Sequence, residues 1–564
     1  MPTIPADEEG GSVAREGRRG RVGTGRMPRE SCFEILQAGP TAVKQGMLDS
    51  VRDGPDLPGV RYRPHENPFA KGRRLSSGVH MARCRTRCRL GVALLVLLHP
   101  PVAALLAQRA FPSRPVITPE TRPFIQVDAP VVALEGVQVI DGTGAPAKSD
   151  QVVLLREGRI AAIGPMGSVP LPPGATRLRL PGRTVIPGLV DLHAHSYFGG
   201  VKRITQMSTS GPLLYLAFGV TTAMSAGSML PYQELAMRRA IETGRVPGPD
   251  YLITGPYLDG AASTSANSRA LHSAAEAERV IDYWTREGAT WVKVQGRISR
   301  ALFADVIRLA HARGVKVTGH LCSITFAEAA AAGIDALQHG FITASDYVPG
   351  KQPDVCPAEN MRIQSTIDVG SPAVQASIRA LAATGVSVVS TLAVYETFSP
   401  TRFRLDTAAL AMLDPEVRRE VEANHAALGR DGGLTVSPTL LTNMMRWERD
   451  FVAAGGLLGA GSDPWGTGFL PGFGNARNYT MLREAGFSPE IAIRILTFNG
   501  ARILGLEQQI GAVTPGRQAD LVVLDGDPLR DPGALYRVTT VFRAGVGYDA
   551  AALRQAARGL VGVR

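Results

Sequence analysis

Two rhythms of apolar and polar positions divide the chain. From residue 131 to 184, short Val, Ile and Leu runs such as VVALEGVQVI and QVVLLREGRIAAIG are separated by Asp-Gly, Glu-Gly and Pro-Gly pairs. That pattern predicts short antiparallel strands joined by tight turns. From residue 185 to 505 apolar runs alternate with Ala-, Leu- and Glu-rich stretches of helical period, which predicts a parallel sheet wrapped by helices. Eight strand candidates fall at 186–195, 219–227, 250–258, 289–296, 315–321, 335–341, 385–395 and 455–463. Helical stretches such as 299–314 and 325–333 lie between them. Eight strands over about 280 residues predict a (β/α)8 TIM barrel, whose active site gathers at the C-terminal strand ends.

Segments 342–372 and 396–445 interrupt the alternation and are expected to be insertions over that face. The short-strand rhythm returns over 506–547, so a small β-sandwich domain, discontinuous in sequence, is predicted from 131–184 and 506–547. Residues 548–564 are expected to be a C-terminal tail.

The front end reads differently. Residues 1–80 are rich in Gly, Arg and Pro and lack apolar periodicity, so they are expected to be a disordered extension or a stretch upstream of a true start at Met81. Residues 81–107 have four Arg, then LGVALLVLL, then small residues, the layout of a secretory signal peptide cut after Ala107. His99, Pro100 and Pro101 interrupt the apolar run and make it a poor membrane span, so no stable membrane insertion is expected after cleavage. An uncleaved signal anchor is the alternative. The expected location is secreted or periplasmic.

Charge sharpens this picture only by exclusion. The net charge is +11, but residues 1–107 carry 17 basic and 10 acidic side chains, so seven of the eleven excess charges lie there. The body is near balance and shows no basic cluster, which argues against a nucleic-acid partner. A small-molecule substrate is expected, and a homo-oligomer stays open. Of five cysteines only Cys322 and Cys356 lie beyond the front end, enough for one bridge and too few for a framework.

Candidate chemistry sits at the predicted strand ends. His193 and His195 close the first strand, and a spacing of two puts both imidazoles on one face. Lys293 lies within the fourth strand, His320 ends the fifth, His339 the sixth and Asp463 the eighth. Four of the seven histidines beyond residue 107 thus fall at strand ends, while His272 and His311 read as surface residues and His425, in the second insertion, as a surface or substrate residue. Imidazoles with a carboxylate suit zinc or a similar divalent ion. A lysine amid apolar residues either snorkels out or needs a partner.

This order of residues resembles the amidohydrolase superfamily. VIPGLVDLHAH resembles its opening signature, and LTFNGARILGLEQQIGAVTPGRQADLVVLDGDP its closing one; GVTTAMSAG and Gly461-Ser462-Asp463 agree. The resemblance spans residues 131 to about 547 and is strongest to the prolidase- and dipeptidase-like branch, with an imidazolonepropionase-like one beside it. It implies two divalent metal ions, zinc by expectation. His193, His195 and Asp463 would hold the first, and His320 and His339 the second. Lys293, carboxylated by carbon dioxide, would bridge them. Two ions activate a shared water toward hydroxide and polarise a carbonyl, and Asp463 would act as general base.

The implied reaction is hydrolysis of an amide-type C–N bond in a small peptide or N-acyl amino acid. Opening of a cyclic amide, such as an imidazolone or lactam, is the alternative. The deaminase branch has a Glu three residues after the fifth-strand His and no bridging lysine; here Leu321-Cys322-Ser323 follow His320, and Lys293 is present. A catalytically inactive secreted binding protein is the reading of another class, and the complete ligand set argues against it. Tyr257, Arg477 and Tyr479 are substrate-binding candidates.

Overall fold

The structure, a computed structural model, describes residues 114–199, 204–263, 268–430 and 435–563. The expected extension at 1–80 and signal peptide at 81–107 lie outside the described residues. No helix among the described residues is long and apolar enough to cross a membrane.

The short strands from both ends of the chain interleave in one nine-stranded sheet. Its path runs Ile125–Val127, Val546–Asp549, Val538–Arg543, Leu521–Asp525, Arg183–Pro187, Val131–Val139, Lys148–Arg156 and Arg159–Pro165, with Thr176–Arg179 paired to Val131–Val139. Alternation with period two buries Val132, Leu134, Val153, Leu155, Leu521 and Val523 in one cluster. The hairpin at 156–159 turns through Glu157 and Gly158, both at positive φ, the conformation whose twist matches the flanking strands.

Of the expected tail at 548–564, the described residues 548–563 are ordered into elements. They finish the strand Val546–Asp549 and form the helix Ala550–Ala557. Asp549 caps that helix, and Leu553 and Ala557 are buried.

The region between is mixed α/β and holds two parallel sheets. One contains Leu189–Ala194, Val220–Ser225 and Asp250–Leu252. The other runs Arg269–Leu271, Tyr257–Gly260, Trp291–Val294, Lys316–Gly319, Ala336–Gln338, Ser387–Ser390 and Leu458–Ala460. The sheets abut at two places: Ser228 N–H donates to Gly255 O at 3.0 Å, and Asp463 N–H to His193 O at 2.8 Å. Strands such as Leu189–Ala194 are buried along their whole length, as expected when helices cover a parallel sheet.

The covering helices are amphipathic. Arg300–His311 buries Phe303, Val306, Ile307 and Ala310 on one face, and the Ser299 hydroxyl caps its N-terminus by accepting from Leu302 N–H. Phe326–Ala332 opens with a Thr325/Glu328 capping box and ends at Gly333 in the left-handed conformation.

Two strand candidates differ in extent. The stretch 250–258 is split, because Gly255 turns at positive φ between Leu252 and Tyr257. The stretch 385–395 is extended only to Ser390; Thr391 breaks it, and Leu392–Glu396 is helical. The segment 342–372 contains a short turn of helix at Ser345–Tyr347 and the helix Asn360–Gln364. The segment 396–445 contains Thr407–Leu410, Pro415–Ala427 and the start of Pro438–Ala453.

Candidate metal centre

The six strand-end residues converge. His193 Nε2 lies 3.4 Å and His195 Nε2 3.2 Å from Asp463 Oδ1. One ligand atom from each of the three falls within 4.8 Å of the others. His339 Nδ1 is 3.6 Å from Asp463 Oδ2. The His339 ring centroid lies 4.6 Å from that of His193 and 4.4 Å from that of His320. Lys293 is buried, and Asp463 is the carboxylate that bears on its ammonium.

Backbone conformation delivers two of these groups. His339 and Asp463, neither a glycine, both stand at positive φ (68° and 48°), His339 directly after its strand and Asp463 in the turn after Leu458–Ala460. Strain of that kind is kept where the surroundings over-determine it. Gly461 makes the approach possible: a Cβ there would lie 2.3 Å from His193 Cβ and 2.4 Å from His193 N.

Buried polar partners fix the ligand orientations. Gln338 Nε2 donates to Thr318 Oγ1 at 2.8 Å, leaving its Oε1 to accept from His193 Nδ1–H at 2.6 Å. That tautomer leaves the Nε2 lone pair facing Asp463, another lone-pair donor. Two such atoms 3.4 Å apart, with no proton between them, are a donor pair suited to a cation. Thr391 Oγ1 stands 2.8 Å from His339 Nδ1. The donor set of imidazoles and carboxylate therefore fits a divalent first-row ion.

Electrostatics agree. Burial drives His193 far below its ordinary pKa, and burial with the neighbouring Lys293 takes His320 to about 3, so both imidazoles are neutral, the form whose nitrogen can bind a cation. Burial would raise Asp463, but His193, His195 and Lys293 outweigh it and hold the carboxyl at about 2. Burial lowers Lys293 to about 7, which makes the neutral amine accessible near physiological pH.

The three substrate candidates part company. The Tyr257 hydroxyl sits 3.4 Å from His195 Nε2 and 2.6 Å from Tyr197 Oη, at the edge of the cluster. Arg477 is instead held by Glu396, donating through Nε at 2.7 Å and Nη2 at 2.6 Å. Tyr479 is fully buried, and its hydroxyl donates to Pro528 O. On the helix Phe473–Glu484 these two side chains are spent on packing and pairing.

Sequence reasoning passed over Asp191, Gln338, Thr391 and Tyr197. Asp191 continues the alternation of His193 and His195, and that period could have singled it out; the others have no signal along the chain.

Comparison with known proteins agrees with this arrangement. The Amidohydrolase family model matches residues 451–547, which include Asp463. Adenine deaminase 2 of Jannaschia sp. is 37% identical over 84 residues, 13% of this chain and 14% of that protein, so the match spans far less than two thirds of its length. Enamidase of Eubacterium barkeri is 24% identical over 393 residues, covering 68% of this chain and 83% of that protein. A solved Xaa-Pro dipeptidase with bound methionine superposes with a TM-score of 0.55 at 18% identity, over 74% of this chain and all of that one, a likeness of fold. The chain is thus similar to the Amidohydrolase family over residues 451–547 and to the enamidase over most of its length, and its fold is like that of the dipeptidase.

Proposed function

We propose that the protein is a secreted or periplasmic, metal-dependent hydrolase of an amide-type C–N bond in a small peptide or N-acyl amino acid. The observation that carries this reading is the convergence of His193 Nε2, His195 Nε2 and Asp463 Oδ1 on one point. In this reading the two parallel sheets close into one eight-stranded barrel, the two backbone links between them being its seams. The nine-stranded sheet curls into the sandwich beside it. The Cys322–Cys356 disulfide supports an oxidising compartment.

His193, His195 and Asp463 would hold one zinc ion, and His320 and His339 a second. Such ions would supply Lewis acidity to the scissile carbonyl and lower the pKa of the attacking water. Lys293 contributes by its neutral amine: its nitrogen bonds to the carbon of carbon dioxide, a proton leaves to solvent, and a carbamate anion replaces a buried cation. Asp463, anionic at neutral pH, takes the proton of the attacking water. The water oxygen bonds to the carbonyl carbon, the C–N bond breaks, and Asp463 passes its proton to the leaving nitrogen. The Tyr257 hydroxyl is placed to donate to the substrate carbonyl oxygen.

A library of dipeptides, N-acyl amino acids, imidazolones and lactams tests the reading. Release of free amine from the linear amides is expected. Turnover confined to the cyclic members would replace it with the ring-opening alternative, and saturable binding without turnover would make the protein a binding module.

A further inference from the structure

The segment after His339 is held at four points, three of them to the segment after His320 and one to Arg300, which opens the helix Arg300–His311. Asp346 accepts from Phe326 N–H at 2.8 Å and from Ala327 N–H at 3.1 Å. Lys351 Nζ donates to Ser323 O at 2.7 Å. Asp354 accepts from Arg300, at the backbone N–H (2.8 Å) and Nε (3.1 Å). The fourth stitch is covalent: Cys356 is disulfide-bonded to Cys322, with Cα atoms 4.8 Å apart.

The ring closed by that bond is informative. It starts two residues after His320, contains His339, and returns to its start after 34 positions. His320, just before the ring, and His339, within it, lie edge to face with ring centroids 4.4 Å apart. His193, His195 and Asp463 lie outside the ring and take their positions from other strands. Both cysteines are only partly buried, so a reductant of modest size can reach the bond.

We propose that the Cys322–Cys356 disulfide is a positioning clasp for His320 and His339, so that the second ion is held tightly only in the disulfide form. This rests on the two-ion reading above. The three polar stitches hold the strap loosely, whereas the covalent one fixes the register of the two loops to which the histidines belong. A ligand pair displaced by an ångström loses its bite on an ion, while the first position keeps its own three ligands. Reduction would then leave a folded protein with one ion where the oxidised one has two.

The test is zinc stoichiometry by equilibrium dialysis followed by elemental analysis, on wild type and on the Cys322→Ser/Cys356→Ser double variant, with thermal melts of both. Wild type should bind two equivalents. The double variant should keep the first with unchanged affinity and bind the second at least 10-fold more weakly, a split that general loosening would not produce.

If the double variant does not fold, native protein reduced with a water-soluble phosphine serves in its place. Two thiols form as the phosphine is oxidised to its oxide, and iodoacetamide then caps them. Two equivalents bound to the bridge-less protein with wild-type affinity overturn the clasp and leave the two-ion reading standing. Fewer than two bound to wild type sink the two-ion reading and the clasp with it.

Discussion

Asp191 holds Ser462 twice, its carboxylate accepting from the Ser462 hydroxyl at 2.5 Å and from the Ser462 backbone N–H at 3.1 Å. The same carboxylate accepts from His193 N–H at 2.9 Å and from Asn475 Nδ2 at 2.9 Å. One buried side chain thus ties the strand end bearing His193 to the turn bearing Asp463. Burial works to raise its pKa, and these four donors oppose that.

Asp191→Asn puts an amide donor where at least one of those donors now points. Hydrogen bonds to a charged group are worth about 1.5–3 kcal/mol each, so a loss of at least one such contribution is expected in denaturant melts. Metal affinity should fall together with stability. An unchanged midpoint would mean that the Asp191 links are slack.

Gln338 acts on one ligand alone. Gln338→Leu removes the acceptor that fixes the His193 tautomer, and such losses typically weaken metal binding about 10–100-fold. Gln338→Glu keeps an acceptor there and should retain most of the affinity. Chelator competition reads both, and equal affinities for the two variants would contradict the tautomer argument.

Asp463→Asn leaves the shape of the site and removes the proton acceptor. A fall in kcat of roughly 10²–10⁴-fold is expected, beyond any change in metal content. Restored metal loading with near-normal kcat would assign the proton transfer elsewhere.

Arg477 and Tyr479 should separate stability from catalysis. Glu396 is buried, so Arg477→Ala strips most of its compensation and should cost roughly 3 kcal/mol of stability. Tyr479→Phe loses one bond to Pro528 O, about 1 kcal/mol. Neither should raise KM selectively. A selective rise in KM for Arg477→Ala would return it to the substrate site.

Glu448 supplies a pH signature away from the metal ligands. Its Oε2 accepts from Ser390 Oγ at 2.8 Å, and burial pushes its pKa from 4.5 up to about 8. The folded protein therefore keeps a proton that the unfolded chain releases between pH 4.5 and 8. The stabilisation is fully present below pH 4.5 and is lost as pH rises through 8, on the order of 5 kcal/mol across the window. Glu448→Gln should flatten the fall in melting temperature between pH 5 and 8, and the same slope in both proteins would refute the assignment. Glu234, also raised to about 8 by burial, keeps part of the slope in either case.

What the chain's pattern discloses is positional. Strand ends are set by local period and by Gly and Pro, so His193, His195, Lys293, His320, His339 and Asp463 could be placed at strand ends without knowing how strands neighbour one another. The groups that orient them could not be read that way. Gln338 meets His193 across 145 residues and Asp191 meets Ser462 across 271, contacts that exist only once the strands are side by side. The partners of Arg477 and Tyr479 are hidden for a related reason: a helix of known period has a known stripe, but its rotation against Glu396 and Pro528 belongs to the tertiary packing. The Cys322–Cys356 pairing likewise depends on the path of an insertion that carries no period.

The central claim is that the strand-end cluster is a two-ion site bridged by Lys293. It is tested most directly by elemental analysis of the purified protein, dialysed against zinc in bicarbonate-supplemented buffer, alongside Lys293→Ala. The account predicts two equivalents in the wild type and loss of the second in the variant. Fewer than two equivalents in the wild type, or two in both proteins, would contradict it.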